Sequence, residues 1–536
     1  MESLRLEKKE FGDNKLRGKT TREKIENTYT EEILIGICTP IGTPKDKVIQ
    51  EMSNTLKSYG YQTEVISLSS LIIDHYKKDH TLLLGKTEAY SRLKHKIDGG
   101  NFLRKKYENR SVLAELAIKK INLDRSEFFT TDGKLPDATD LTSRRKCYII
   151  DSLINKEELL LFRSIYKELF YCFSIFSPKS ERIELLTSKG LSENEIRELM
   201  LTDDFEIDQF GQDVRNTFTE ADFFLRVSNR TLSTLQDKIT RFFHIIFESK
   251  VVTPLPHEYA MYVAKSAAGN SACLSRQVGA SIMDKNGIIL SKGWNDVPQF
   301  GGNLYNEQNT NDHRCFNHGH CSNDRKKDEL TTKIIKEIGL ENSVQKIIEE
   351  LNKKNETKKL WDEAILKIEE IVRTSRVKDL IEFSRSVHAE MHAIITGSQM
   401  CGNRIVGSML FTTTYPCHNC ARHIIVAGIT EVYYIEPYVK SLCLELHNDA
   451  ITEDELENKK VKVLVYDGVA PRRYLEFFSK QRDRKDKKGV KINYELPKIG
   501  PKFKMTLQAL STLEQQAIHS LNESGLMTQQ DEEASA

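Results

Sequence analysis

The chain has 536 residues, 39% of them hydrophobic, with 79 Lys and Arg against 78 Asp and Glu. That length exceeds a single core and points to two or three domains. The near-cancelling charge gives no overall positive field with which to collect nucleic acid, leaving only local patches for that task.

No apolar run approaches the ~18 residues needed to cross a bilayer. The charged opening MESLRLEKKEFGDNKLRGKTTREK lacks the greasy segment of a signal peptide, so a cytoplasmic protein without a membrane partner is expected. Its ten cysteines then serve as metal ligands, reactive thiols or small core residues rather than disulfides.

In chain order, residues 1–28 read as a polar tail. The apolar run ILIGICTP predicts a buried strand, KDKVIQEMSNTLKSYG an amphipathic helix and YQTEVISLSS a second strand, together a parallel βαβ unit. KCYIIDSL, KEELLLFRSIYKELF and YCFSIFSP repeat strand, helix and strand, so 29–245 is expected to form one α/β domain. A second domain, 250–480, opens with a helix running through Ser275 and a hairpin in which VGASIMD and IILSKGW flank a turn at Asp284 to Gly287. The charged stretch of about 324–385 has helical spacing in IIKEIGLENSVQKIIEELNKK and LWDEAILKIEEIV and reads as an insertion. Residues 481–536 read as a charged extension, partly disordered, in which MTLQALSTLEQQAIHSL is a candidate docked helix.

In TTTYPCHNCARHIIVAGI, two thiols three positions apart follow a proline. A C-x-x-C pair alone serves redox chemistry or half of a structural zinc site, and needs further partners. SVHAEMHAII supplies them: His388 and Glu390, about thirty residues upstream, complete the H-x-E and P-C-x-x-C signature of zinc deaminases that act on nucleobases. One imidazole, His388, and two thiolates, Cys417 and Cys420, leave the fourth position of a tetrahedral Zn²⁺ to water, whose pKa falls toward ~7. Glu390 is then a proton shuttle from the water to N3 of cytosine and on to the departing ammonia.

Pro416 suits a helix start, which puts Cys417 and Cys420 in a first turn whose positive end stabilises thiolates. Residues i and i+2 of a helix interior point some ~200° apart, so His388 and Glu390 share one site only if the metal lies off the helix N-terminus. Ser386 is a candidate cap for that helix. His392, four residues after His388, does not complete the H-E-x-x-H pattern of a zincin and reads as a packed residue beside the site. The competing reading is a closed structural zinc with Glu390 as a surface charge, which wants a fourth protein ligand.

From about Thr253 to Phe478, CLSRQVGASI, GWNDVP, VHAE, TTYPCHNC and GVAPRRYLEFF come in the order of the deoxycytidylate deaminase branch of the cytidine deaminase superfamily, which this segment resembles. With LSRQVGA, GGNLY and a nucleotide-kinase-like N-terminal region, the chain as a whole resembles the bacterial antiphage dCTP deaminases. The resemblance implies an α/β architecture: a P-loop-kinase-like parallel sheet domain, then a cytidine-deaminase-like αβα domain with a five-stranded mixed sheet and a helical insertion. It implies conversion of dCTP, and also dCMP, to the deoxyuridine nucleotide on one catalytic zinc, draining the dCTP pool that a phage needs. It further implies a homo-oligomer and, for some members, inhibition by a small noncoding RNA. Asn295 is implied as a partner of the substrate sugar, against a plain turn residue before Pro298. Arg276 and Arg385 are candidate phosphate contacts, since guanidinium forks match phosphate oxygens, against ordinary surface ion pairs.

Cys315, His318, His320 and Cys321 in DHRCFNHGHCSND are candidates for a second, structural zinc, or are loop residues without a metal. In the N-terminal region GICTPIGTPKDKV stands where a P-loop would, with Gly36, Gly42 and Thr43 as candidate nucleotide contacts. The pattern G-x-x-x-x-G-K-[ST] is not met, which argues against phosphoryl transfer and for nucleotide sensing or an interaction scaffold. Lys45 or Lys47 is left to reach across, Asp151 resembles a Walker B acid, and Arg182 a lid arginine. The alternatives to a free-nucleotide deaminase are a nucleic-acid cytosine deaminase or RNA-bound regulator, with KQRDRKDKK as its footprint, and last a nucleotide kinase.

Overall fold

The computed structural model of the chain describes residues 20–76, 82–130, 142–204, 210–340, 346, 349, 355–438 and 440–526. These fall into two units, one built from the residues before Pro254 together with those after Tyr466, the other from Pro254–Tyr466. The first unit begins with β1 (Tyr29–Thr30), β2 (Ile33–Cys38), β3 (Gln62–Ser67), β4 (Lys146–Asp151), β5 (Phe170–Phe176) and β6 (Phe223–Arg226). Every residue of β2, β4 and β5 is buried, as near-continuous apolar runs require of a parallel sheet covered on both faces. The order β6-β5-β2-β4-β3 is parallel throughout. β2 and β3 belong to one crossover through the helix Lys45–Ser58, and β4 lies between them. Val48, Met52 and Leu56 of that helix share one core with Phe242, Phe243 and Ile246 of the helix Leu235–Phe247.

The second unit opens with the helix Pro256–Ala268, then β7 (Gly279–Met283) and β8 (Ile289–Trp294), antiparallel across a turn closed by the Asp284 N–H on the Ile288 carbonyl at 2.9 Å. The helix stops well short of Ser275. The N–H groups of Asn270 and Ser271 bond back to Ala267 and Ala268, and that of Ala272 is taken by the Asp296 carboxylate at 3.0 Å. The insertion consists of the helices Ser322–Leu340 and Asn355–Thr374, packed on one another, and a 3₁₀ turn at Arg376–Asp379. After it come the helix Ala389–Cys401, β9 (Met409–Thr414), the helix His418–Val426, β10 (Glu431–Glu436), β11 (Ile451–Thr452) and β12 (Val461–Val465). The mixed sheet runs β11-β12-β10-β9-β7-β8, six strands where the resemblance implies five. The sixth is the two-residue β11 at its edge.

The chain then returns to the first unit. β13 (Gly468–Val469) adds an antiparallel edge beside β6, and β14 (Met505–Thr506) pairs with β1. The helix Leu507–Glu523 packs on the helix Val112–Phe129. The deaminase-like segment therefore ends at Tyr466, not 480, and the expected charged extension is integral to the first unit as far as Leu526. Of the expected polar tail, residues 21–26 form a helix with a Thr20–Glu23 capping box; residues 1–19 lie outside the described residues, as do 527–536.

A buried charge network ties these pieces together. Glu514, fully buried, receives Arg125, the Tyr166 hydroxyl at 2.8 Å and Asn122 at 3.2 Å. Arg125 also pairs with Glu32 at 2.7 Å, and Arg144 joins Glu32 at 2.6 Å. Burial disfavours the Glu32 charge, yet Arg125 and Arg144 outweigh it and hold the carboxyl below its ordinary range. Removing one member strands the others without water. Arg125→Met should therefore lower the unfolding free energy by about 3–5 kcal/mol, read by chemical denaturation of the full chain; a loss within experimental error would show that the network is not structural.

In the same unit His244 is hydrogen-bonded to the Tyr59 and Ser249 hydroxyls at 2.8 and 2.7 Å. Burial and then Lys250 push its pKa from 6.5 down to about 4. The unfolded chain takes up that proton first, so stability present above about 6.5 is lost as pH falls toward about 4. His244→Gln should remove this component from the pH profile of unfolding.

Candidate metal centre

The site is built where two helices of the second unit begin. Gly293 of β8 lets the helix Ala389–Cys401 lie against the strand backbone: a Cβ at that position would stand 2.3 Å from the Ala389 carbonyl oxygen and 2.4 Å from the Ala393 nitrogen. The segment leading into the helix is fastened to the residues after β8 by the Val387 N–H on the Asp296 carbonyl at 2.9 Å. His388 itself is the N-cap, with extended backbone, two residues later than the Ser386 cap expected from sequence. Because the cap precedes the helical twist, its imidazole and the Glu390 carboxyl of the first turn reach the same place.

Opposite, β9 delivers Tyr415 and Pro416 to the start of the helix His418–Val426. Cys417 is that helix's N-cap, rather than a first-turn residue, and its sulfur accepts the Cys420 N–H at 3.4 Å. The His388 Nδ1 lies 3.3 Å from each sulfur, and the two sulfurs are 3.6 Å apart. Bond lengths of ~2.3 Å to sulfur and ~2.05 Å to nitrogen in a tetrahedral zinc site separate such donors by about 3.6–3.8 Å, so the three fit Zn²⁺ with a small expansion. Among the described residues this is the one group of His, Cys, Asp or Glu side chains gathered to hold a metal ion.

The electrostatics match the donor set. Hydrogen bonding from Cys420, against the cost of burial and helped by His388, pushes the Cys417 thiol down to about 4, while burial raises Cys420. Burial opposes a charged His388, but the Cys417 sulfur prevails and its pKa is raised. Glu390 is 4% exposed, its carboxyl takes the Cys420 thiol at 3.4 Å, and burial pushes its pKa up. His392 is no ligand. Its Nδ1 accepts the Trp294 N–H at 3.2 Å, which leaves the proton on Nε2, facing the Asn303 side-chain oxygen at 3.0 Å.

A cavity of about 280 Å³ opens onto His388, Glu390 and Cys417, and Asn295, Arg276 and Arg385 also line it. The Asn295 amide is used as a staple, accepting the Val278 N–H at 2.8 Å and donating to the Arg276 carbonyl at 2.9 Å, with one further donor and acceptor left over. Arg276 pairs with Glu436 at 2.9 Å, and Arg385 donates to the His313 carbonyl at 3.0 Å.

The expected second zinc cluster is not gathered. Cys315 and Cys321 line the cavity beside Ser322 and Ser275, at 3.7 and 3.6 Å from their hydroxyls. His320 instead donates to the His318 carbonyl at 2.8 Å and accepts Arg325 at 3.2 Å, and the four side chains do not converge on one point. Sequence reading missed Gly293 and Asp296, although both stand in GWNDVP. A glycine before a tryptophan at a strand end was the available signal for a close backbone approach.

In the first unit two of the candidate nucleotide contacts, Gly36 and Gly42, lie in close packing. Gly36 lies within β2, where a Cβ would meet the Phe170 ring at 2.6 Å. Gly42 has φ +83° and faces the Arg182 backbone, while Arg182 donates to the Ile41 carbonyl at 2.7 Å. Thr43 is buried, and its hydroxyl has no hydrogen-bond partner among the described residues. Lys45 pairs with Asp151 at 2.7 Å and donates to Ser152 at 2.6 Å.

Residues 255–436 match the family described as the cytidine and deoxycytidylate deaminase zinc-binding region, a span that contains His388, Glu390, Cys417 and Cys420. ComE operon protein 2 of Bacillus subtilis (strain 168) is 46% identical over 55 residues, 10% of this chain and 29% of that protein, so the match spans less than a third of the relative's length. Deoxycytidylate deaminase of Enterobacteria phage T2 is 26% identical over 181 residues, 34% of this chain and 80% of that protein. Among solved structures, the dCMP deaminase of cyanophage S-TIM5 in apo form aligns with 40% of this chain and 100% of its own, at 20% identity and a TM-score of 0.21. By the family match over residues 255–436 and its His388, Cys417 and Cys420 cluster, the second unit carries a deaminase-type zinc-binding region.

Metal analysis of the purified chain should find about one zinc per polypeptide, with most of it lost in Cys417→Ser and His388→Ala and kept in Glu390→Gln.

Proposed function

We propose that the chain is a zinc-dependent deaminase of a deoxycytidine nucleotide. The observation that carries this reading is the contact of the buried Glu390 carboxyl with Cys420 of the His388, Cys417 and Cys420 donor set, beside a cavity that Glu390, His388 and Cys417 line. His388, Cys417 and Cys420 would hold a Zn²⁺ ion, which would act there as a Lewis acid and lower the pKa of a bound water toward neutrality.

The remaining work falls to the chain. Glu390 takes the proton that water gives up and passes it to ring N3, which leaves C4 electrophilic toward the oxygen. A C4–O bond forms, Glu390 takes the remaining proton from the new C4 hydroxyl and delivers it to the amine, and the C4–N4 bond breaks as the C4 carbonyl forms, so cytosine and water become uracil and ammonia. Burial suits the task because a carboxyl whose pKa is raised both binds and releases a proton readily. Asn295 keeps a donor and an acceptor free for the sugar, and Arg276 and Arg385 stand at the cavity for the first phosphate.

The finer reading is dCTP as substrate, consumed in defence against phage, with a P-loop-like first unit, a homo-oligomer and an inhibitory noncoding RNA. It is supported by the order of the sequence motifs that resemble the antiphage dCTP deaminases, and its first unit by the parallel order β6-β5-β2-β4-β3 with Lys45 against Asp151.

Purified chain supplied separately with dCTP, dCMP and a cytosine-containing oligonucleotide, followed by nucleotide chromatography, tests the reading. A deoxyuridine nucleotide and ammonia should form, and Glu390→Gln should cut the rate by about 10²–10⁴. Uracil appearing only in the oligonucleotide, or no product in any sample, would defeat it.

A further inference from the structure

A second cavity, of about 240 Å³, lies wholly within the first unit, between the end of the helix Leu235–Phe247 and the segment Arg482–Leu496. Its Ser249 shares a hydrogen bond with the Tyr59 hydroxyl at 2.8 Å, just before β3, and Arg145, just before β4, donates to the Pro497 carbonyl. The cavity therefore sits where those strands begin, at the opposite end of the sheet from Lys45 and Asp151.

Lys250, Arg482, Arg484 and Lys491 line it against Glu248 and Asp483. Both acids are engaged: Glu248 accepts the Gln481 N–H at 3.0 Å, and Asp483 pairs with Lys480 at 3.1 Å. The side chains of Lys250, Arg484 and Lys491 have no hydrogen bond or ion pair among the described residues. Arg482 commits its Nη2 to the Gly500 and Pro501 carbonyls at 2.6 and 3.0 Å, and its Nε, shut away from water, has no acceptor. The excess charge reaches buried groups as well. Lys250 adds to burial in holding the His244 pKa low, and Arg484 adds to burial in lowering that of Lys502 against Glu248 and Glu476. An anion placed among the four cations relieves both.

The remaining walls include Val251, Ile492, Leu496 and the ring of Tyr494. The Tyr494 hydroxyl donates to the Asp483 carbonyl at 2.8 Å, which fixes the ring, and no other aromatic ring lies against it among the described residues. The chain segments that carry Arg484 and Lys491 are held in register by the Ile492 N–H on the Arg484 carbonyl at 3.1 Å and by a turn in which Asp486 accepts the Val490 N–H at 2.8 Å. Fixed cations and an unstacked ring in one cavity suit a phosphate joined to a planar base. The volume is below the ~300–1,000 Å³ of sites for drug-sized molecules, which favours one base and one phosphate over a longer ligand.

We propose that this cavity binds a nucleoside monophosphate, with Arg484 and Lys491 on the phosphate and Tyr494 against the base. The site belongs to the first unit and does not rest on the deaminase reading. Four cations gathered in one cavity serve a compact anion, whereas a polynucleotide needs them strung along a track.

Titration calorimetry of the full chain with inorganic phosphate, ribose 5-phosphate, AMP, GMP, UMP and a short oligoribonucleotide tests it. At least one of the nucleotides should bind about tenfold more tightly than ribose 5-phosphate. Arg484→Gln should weaken that nucleotide and ribose 5-phosphate alike, by about tenfold. Tyr494→Leu should erase the preference for the base, and Tyr494→Phe should keep it. Arg484 is exposed, so its variant reports even where a Tyr494 variant fails to fold.

Nucleotides that bind no better than ribose 5-phosphate, no binding of any phosphate compound, or nucleotide affinities that Arg484→Gln leaves all within about twofold overturn the site. So does an oligonucleotide that binds more tightly than every monophosphate, with an affinity that falls with salt as several phosphate contacts require. Loss of this site leaves the deaminase reading of the second unit standing.

Discussion

Backbone lying against backbone at Gly293 decides where the chemistry of the second unit can happen. The atom that a Cβ there would strike is the carbonyl oxygen of Ala389, at 2.3 Å. Ala389 stands between His388 and Glu390, so a helix pushed off β8 carries both away from the sulfurs together. Sites of this kind tolerate about 0.5 Å of misplacement. The lack of a side chain at a strand end, more than any contact made by one, is what sets the working geometry.

Two helix starts facing one point explain the donor set in turn. Cys417 and His388 are both N-caps, so each donor sits just outside the helical twist while the partial positive ends of both helices face the same small volume. Negative sulfur is favoured there, and the acidic side chain pays in desolvation for being close. The first unit solves a different problem with charge. Glu32, Arg125 and Glu514 come from regions far apart in the chain, and their mutual satisfaction makes the C-terminal helix part of a core that begins near residue 30. The second unit is therefore an insertion into the first, which leaves its two covalent connections at Pro254 and Tyr466.

Much of this was legible in the amino-acid order. Uninterrupted apolar runs such as ILIGIC and KCYIID announce strands buried on both faces, and the alternation around Asp284–Gly287 announces a hairpin; both are seen. The donor residues were legible because the chemistry demands particular side chains at particular spacings. What escaped was set by partners distant in sequence. Helix Pro256–Ala268 ends early because Asp296, 24 positions beyond Ala272, captures a backbone N–H. Glu514 reads as one more surface charge until Arg125 and Tyr166 are seen around it. Cys315, His318, His320 and Cys321 look like ligands by composition, but spacing within a loop does not say which way its side chains turn, and here His320 turns to a backbone carbonyl and an arginine.

The position of Cys417 has a consequence for the protein once its metal is stripped. A sulfur that caps a helix and takes a backbone N–H is favoured as the thiolate, and the neighbouring Cys420 sulfur lies 3.6 Å away. Such a pair is a reduced dithiol with its attacking member already activated, the starting point for closure by peroxide or air. Oxidation of that pair to a disulfide would remove both thiolates from the donor set, and zinc binding would then require a reductant first.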